Sequence, residues 1–336
     1  MIPPLGPTFE AALRDVGAES PRFRIDAAQR LAEPPPGRED EAAEALRVLF
    51  ADPVGPVRQT AFESAGELGA DTLLPSLTIA FSDEDRGARQ SAVLAAGRIS
   101  PERSTPAIEA LLEDERPEMR FSAVWTLTKI GRANPERIAP CLTDGDEEVR
   151  LVAVECLAEL GSTAHADSIA ARLDDPSPHV QFAAALSLAA LHDGRGASLL
   201  RSSLADADRR FDAAVALGDI QDDSSRGALV AIAKKRVGSP IHRAAAARAL
   251  VRLGDPLGTT VIRKILRSWR IEARQYAVEL VGELGLDTLV PDLARALRKS
   301  RAVDLPVYET ALERLAGQSR QARDLLASVR GTHHPG

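Results

Sequence analysis

An arginine followed three residues later by an alanine returns along almost the whole chain, and this recurrence leaves few folds open. The clearest copy is DGDEEVRLVAVECLAELG, residues 144–161. Aligned on Arg150, the equivalent positions are Arg24, Arg58, Arg89, Arg120, Arg150, Gln181, Arg210, Arg243, Arg274 and Tyr308. Three residues on, all ten copies carry alanine: Ala27, Ala61, Ala92, Ala123, Ala153, Ala184, Ala213, Ala246, Ala277 and Ala311. An alanine-rich composition produces one or two such matches, not ten in register. Copies of one unit about 31 residues long stack on each other instead of forming separate cores, so length alone does not set the number of domains.

The spacing of apolar residues and breakers predicts two helices per unit, A then B. The A helices fall near 39–50, 72–82, 104–113, 135–142, 163–173, 195–204, 224–236, 256–268 and 287–300. The B helices fall near 56–68, 86–99, 117–130, 147–160, 178–191, 207–220, 239–253, 270–284 and 304–316. Residues 1–37 read as a Pro-rich start and a capping helix pair closed by Pro34-Pro35-Pro36-Gly37, residues 38–317 as the array, and 318–336 as a last covering helix and tail. Asp52, Asp83, Asp114, Asp144 and Asp175 precede B helices, where carboxylates accept free N–H groups and suit the helix dipole. Gly69, Gly131, Gly161, Gly254 and Gly285 follow B helices at one offset, as left-handed C-terminal caps do. Within the fifth B helix Val149, Ala153, Leu157 and Leu160 share a face that packs on helix A, the small alanine allowing close approach.

Helix pairs with Asp six residues before Arg (Asp52/Arg58, Asp83/Arg89, Asp114/Arg120, Asp144/Arg150) and Ala after it resemble HEAT repeats, in particular the short bacterial kind termed phycobilisome-lyase-like. The resemblance covers residues 20–317 and implies an all-α solenoid of about ten helix pairs. It also implies that these eight Asp and Arg residues form a ladder between successive repeats. The pattern decays in the second half, where Gln181 and Tyr308 replace Arg and Val237, Ser268 and Ala302 stand in place of Asp.

The chemistry of related enzymes is not repeated here. None of the histidines, His165, His179, His192, His242, His333 and His334, precedes a Glu, so the His-Glu pairs of di-iron hydroxylases are missing, as are HExxH, GxSxG, GxGxxG and P-loop motifs. No catalytic residue, cofactor or metal is expected. Cys141 and Cys156, imaginable as thiol handles for a bilin, fall on apolar helix faces and read as packing residues. No apolar run is long enough to span a bilayer, so no membrane partner and a cytoplasmic location are expected.

Charge is uneven. Residues 1–168 hold 17 Lys+Arg against 30 Asp+Glu, net −13, and residues 169–336 hold 25 against 19, net +6. Residues 234–301 carry 15 Lys+Arg against 6 Asp+Glu around Trp269. This is a candidate basic face for nucleic acid, although Lys234, Lys235 and Arg236, like Arg298, Lys299 and Arg301, end helices where cations suit the dipole.

Positions one and five residues after the Arg lie opposite the packed face of helix B and are expected on the concave surface of a solenoid. The second and ninth repeats are polar there, with Gln59, Glu63, Gln275 and Glu279, whereas the third to seventh present Leu94, Phe121, Trp125, Leu151, Phe182, Leu186, Phe211 and Val215. Glu67, Arg98, Lys129, Glu159, Asp219, Arg252 and Glu283 border the row. An apolar row with a charged rim suits an amphipathic helix or extended peptide; the alternative is that neighbouring B helices bury it. The sequence thus favours a non-enzymatic scaffold for an unidentified protein partner. A bilin-lyase-like or regulatory subunit and a nucleic-acid binder through 234–301 are the alternatives.

Overall fold

The structure is a computed structural model that describes residues 8–235, 237–298, 300 and 304–331. The Pro-rich start over 1–7, Arg236, Lys299, Arg301, Ala302 and the tail with His333 and His334 lie outside the described residues. The described residues form an all-α solenoid without strands. The chain divides into two compact units, Met1–Ser168 and Ile169–Gly336, at the boundary where net charge changes sign.

In unit 1 the pairs are α1 (Phe9–Asp15) with α2 (Pro21–Leu31), α3 (Glu39–Leu49) with α4 (Gly55–Leu68), and α5 (Leu74–Ile79) with α6 (Arg86–Ile99). They continue as α7 (Pro101–Ala110) with α8 (Pro117–Lys129) and α9 (Pro135–Ile138) with α10 (Glu147–Glu159). Helix α11 (Ala166–Ala170) carries the chain past the division. Unit 2 continues with α12 (Pro178–Ala190), the pair α13 (Ala197–Ser203) and α14 (Arg210–Asp219), and the pair α15 (Arg226–Lys234) and α16 (Pro240–Arg252). It ends with α17 (Pro256–Ile265) and α18 (Ile271–Glu283), α19 (Val290–Leu297) and α20 (Leu305–Ala316), and the covering α21 (Arg320–Gly331). Several A segments are shorter than the spacing predicts because they change to 3-10 turns. The segment around α9, for example, continues as a 3-10 stretch over Ala139–Thr143, where Pro140 supplies no N–H to an α-helical ladder.

B helices stack directly on B helices within each unit, α2–α4–α6–α8–α10 in unit 1 and α12–α14–α16–α18–α20 in unit 2. All ten repeat alanines are buried. In the fifth repeat Val149, Ala153 and Leu157 are sealed, but Leu160, just past the end of α10, is 36% exposed and leaves the packed face. Neighbouring B helices approach closely where glycine stands eight residues after the Arg. A Cβ on Gly218 would lie 2.7 Å from the Ala249 Cα, and one on Gly282 2.7 Å from the Ala311 Cα.

The repeat arginine has two separable jobs. In its first job it donates to the backbone carbonyl six residues earlier, in the turn between helices A and B. Arg24 reaches Ala18, Arg58 Asp52, Arg89 Asp83, Arg120 Asp114 and Arg150 Asp144. Gln181 reaches Asp175, Arg210 Leu204 and Arg274 Ser268. These carbonyls lie outside any helix ladder and need a donor.

In its second job the guanidinium makes a two-pronged ion pair with the Asp of the next repeat. Arg24 holds Asp52, Arg58 holds Asp83 with both contacts at 2.7 Å, and Arg120 holds Asp144 with both at 2.7 Å. The expected Arg89–Asp114 rung does not form. Arg116, two residues away, takes Asp114 at 2.9 Å, and Arg89 turns to Glu118 at 2.7 Å. The aspartates also cap the turn rather than the helix: Asp52, Asp83, Asp114 and Asp144 each accept the N–H two residues on. Burial alone would raise the Asp52, Asp83 and Asp144 carboxyls, but the arginine and backbone hydrogen bonds outweigh it and hold all three below the usual range.

The five predicted cap glycines, Gly69, Gly131, Gly161, Gly254 and Gly285, all have positive φ. At the same offset the sixth and seventh repeats place His192 at φ 59° and Gln221 at φ 52°, where a Cβ crowds the next carbonyl.

Two stability outcomes follow from this geometry. Arg58→Gln keeps a donor for the Asp52 carbonyl, as Gln181 does for Asp175, but strands the buried Asp83, and should cost about 3 kcal/mol at neutral pH. Because the native Asp83 pKa is depressed, the wild-type advantage is complete above the unfolded value of about 3.9. It shrinks as pH falls through the lower native value, so urea midpoints of the two proteins should converge in acid. Gln221→Gly relieves the left-handed strain and should raise stability by about 1 kcal/mol in the same assay.

Candidate protein-binding face

The face opposite helix A on each B helix is built from positions one and five after the repeat arginine. In unit 1 the side chains of Leu94, Phe121 and Leu151 are half-buried, and Trp125 is 36% exposed. A small hollow of about 70 Å³ opens between α8 and α10, bounded by Trp125, Thr128, Lys129, Val152, Glu155, Cys156 and Glu159. In unit 2 Phe182, Leu186, Phe211 and Val215 are half-buried and pack against the core. Between α12 and α14 lies a hollow of about 190 Å³, where Leu186 and Val215 meet Asp212 and Asp219. Neighbouring helices therefore cover part of each side chain and leave its outer edge uncovered.

The polar second repeat is internally satisfied: Gln59 donates to Glu63 at 2.9 Å, and Ser91 donates to the same carboxylate at 3.0 Å. The charged rim also pairs along the stack. Lys129 meets Glu159 at 3.3 Å, and Arg252 lies 3.3 Å from both Asp219 and Glu283.

Two features of this face escape a reading of the sequence. Arg248 stands five residues after the repeat arginine in the eighth repeat, where the sixth and seventh repeats carry Leu186 and Val215. It is only 8% exposed, 2.9 Å from Asp219 and 2.7 Å from Glu283. Burial opposes its charge, but these two carboxylates more than compensate and raise its pKa. Glu283, which burial would raise, is in turn held low by hydrogen bonds and charge from Arg248 and Arg252. The only signal in sequence is one cation in an alanine run, HRAAAARAL. The second feature is Tyr276, whose ring meets Phe211 at 5.6 Å between centroids, reaching past α16 because that helix presents consecutive alanines. Burial pushes the Tyr276 phenol up to about 12.

Cys141 and Cys156 are 5% and 2% exposed, and burial pushes the Cys141 thiol up to about 11 and raises Cys156 as well. Both are packing residues, although Cys156 also borders the hollow beside Trp125. Among the described residues, no group of three or more His, Cys, Asp or Glu is arranged to hold a metal ion.

Residues 74–144 and 135–218 match the family model for HEAT repeats, in keeping with the stacked helix pairs described above. The fold of the chain is similar to that in the complex of CpcE and CpcF of phycocyanin lyase from Nostoc sp. PCC7120, with a TM-score of 0.52, 22% identity, and 67% of this chain and 94% of that chain covered. It is also similar to YibA of Escherichia coli, with a TM-score of 0.57, 17% identity, and 73% and 92% covered. No curated protein matches the chain in sequence.

Buried thiols with raised pKa values react slowly. Both cysteines should resist a thiol reagent such as 5,5′-dithiobis(2-nitrobenzoate) in the native protein and react fully in denaturant; fast native labelling of either would contradict the packing described.

Proposed function

We propose that the chain is a non-enzymatic scaffold that holds a protein partner, as an amphipathic helix or an extended peptide, against the B-helix face. The observation that carries this reading is the row of half-exposed apolar side chains at positions one and five of the B helices in each unit, with hollows beside it and a rim whose charges pair at Lys129–Glu159 and around Arg252. A partner side chain entering such a hollow meets apolar edges and, on its wall, the Glu155 or Asp212 carboxylate, which a donor on the partner can engage. In unit 1 the anchors are Leu94, Phe121, Trp125 and Leu151. In unit 2 they are Phe182, Leu186, Phe211 and Val215, and the row closes at the Arg248 cluster. Trp125 is the strongest single anchor, because tryptophan dominates binding energy where it is partly exposed and rigidly based.

Trp125→Ala should leave the thermal midpoint nearly unchanged and reduce partner recovery in affinity capture from source-cell extract by at least about tenfold, the loss expected of a hot-spot residue. Phe182→Ala with Phe211→Ala tests the row of unit 2 in the same way. Equal recovery by folded variants and wild type would remove the B-helix face as the binding site.

A further inference from the structure

The edge formed by the turns between A and B helices changes character between the units. In unit 1 these turns carry Asp83-Glu84-Asp85, Asp114-Glu115 and Asp144-Gly145-Asp146. In the eighth and ninth repeats of unit 2 the same turns carry Lys234, Lys235 and Val237, then Arg267, Trp269 and Arg270, with Ile271 opening α18. Val237 is 87% exposed, Trp269 82% and Ile271 42%. The two turns belong to neighbouring helix pairs, whose axes lie about 8–10 Å apart.

Arg267, expected within a helix, instead follows the end of α17 and faces a cleft of about 280 Å³ lined by Leu266, Arg267, Asp292, Arg295, Ala296 and Arg298. Asp292 is the one carboxylate there; it is 8% exposed and shared by Arg263 at 3.1 Å, Arg267 at 3.2 Å and Arg295 at 3.1 Å. One buried negative charge thus faces three arginines, with Arg298 on the same cleft, and the cleft has excess positive charge. The other acids of this stretch mostly lie elsewhere. Asp255 and Asp287 sit in the turns at the opposite ends of the helices, and Glu279 and Glu283 line the B-helix face. Glu272 is the exception, one residue beyond Ile271.

We propose that this edge of unit 2 docks on an anionic membrane surface, the cleft among Arg267, Arg295 and Arg298 receiving a lipid phosphate while Trp269, Val237 and Ile271 enter the interface. Apolar side chains at the tips of turns protrude and cannot form a groove for a peptide, but they reach into a headgroup layer, where tryptophan is favoured. The flanking lysines and arginines meet the negative surface potential. The chain has no helix among the described residues long and apolar enough to cross a membrane, which bears on spanning and not on attachment at a surface. The proposal is independent of the B-helix face.

The test uses the full chain with vesicles of phosphatidylcholine alone and with one third phosphatidylglycerol. Co-sedimentation should occur with the anionic vesicles only and weaken with salt. In a Trp125→Phe background, which leaves Trp269 as the only tryptophan, emission should shift to the blue on binding. Arg295→Gln and Arg298→Gln should each weaken binding about fivefold, and Trp269→Ala more. Ile79→Ala, which removes an exposed apolar side chain of unit 1 (79% exposed), should change nothing. Failure to sediment with anionic vesicles, an unshifted Trp269 emission, or variants that bind as wild type would overturn the proposal. So would preferential binding of duplex DNA through the same arginines, which would assign the edge to nucleic acid.

Discussion

Most B helices are fastened to the turn before them by one side chain in their first helical turn. Eight of the ten copies donate from this position to the carbonyl six residues earlier, whether the residue is arginine or Gln181. The contact fixes the angle at which helix A gives way to helix B, and with it the face that the alanine three residues on presents for packing. An arginine has five donors, so one guanidinium can hold its own turn and still reach the carboxylate of the next repeat. The B-to-B stack draws on that double use in unit 1 and at Arg274 in unit 2, which also lies 4.0 Å from Asp304 of the next repeat.

Once the two jobs are separated, the difference between the units has a physical basis. Where the turn keeps its aspartate, the edge is acidic and tied across repeats by buried ion pairs. Where Val237 and Ser268 replace it, the aspartate that the preceding repeat's arginine would hold is missing and cations and apolar tips occupy the freed edge, while Arg274 keeps its turn clamp and lies 4.0 Å from Asp304 of the next repeat. Unit 2 adds charge pairing on the B-helix face, where Arg248 and Arg252 bridge Asp219 and Glu283. The two units therefore offer different surfaces from one repeat plan.

Much of this was legible from residue order because the constraints are local. The alanine register, the helix pairs and the left-handed glycine caps each depend on residues a few positions apart. The fate of Asp114 was not legible: two arginines compete for it, and the nearer, Arg116, wins, diverting Arg89 to Glu118. The aspartates were expected at helix caps and instead cap turns, because the nearest free amide is two residues on. The exposure of Phe121, Phe182 and Phe211 was equally out of reach, since it depends on how closely adjacent B helices approach. That spacing is set by pairs such as Gly218 against Ala249, distant in sequence.

Amide hydrogen exchange on an Arg210→Ala variant tests the turn clamp most directly, because Arg210 bonds the Leu204 and Ala205 carbonyls and makes no ion pair among the described residues. The account predicts faster exchange confined to the turn between α13 and α14 and the first turn of α14, with the centres of α12 and α16 still protected. Unchanged exchange in that turn would contradict the claim that this side chain holds the repeat together.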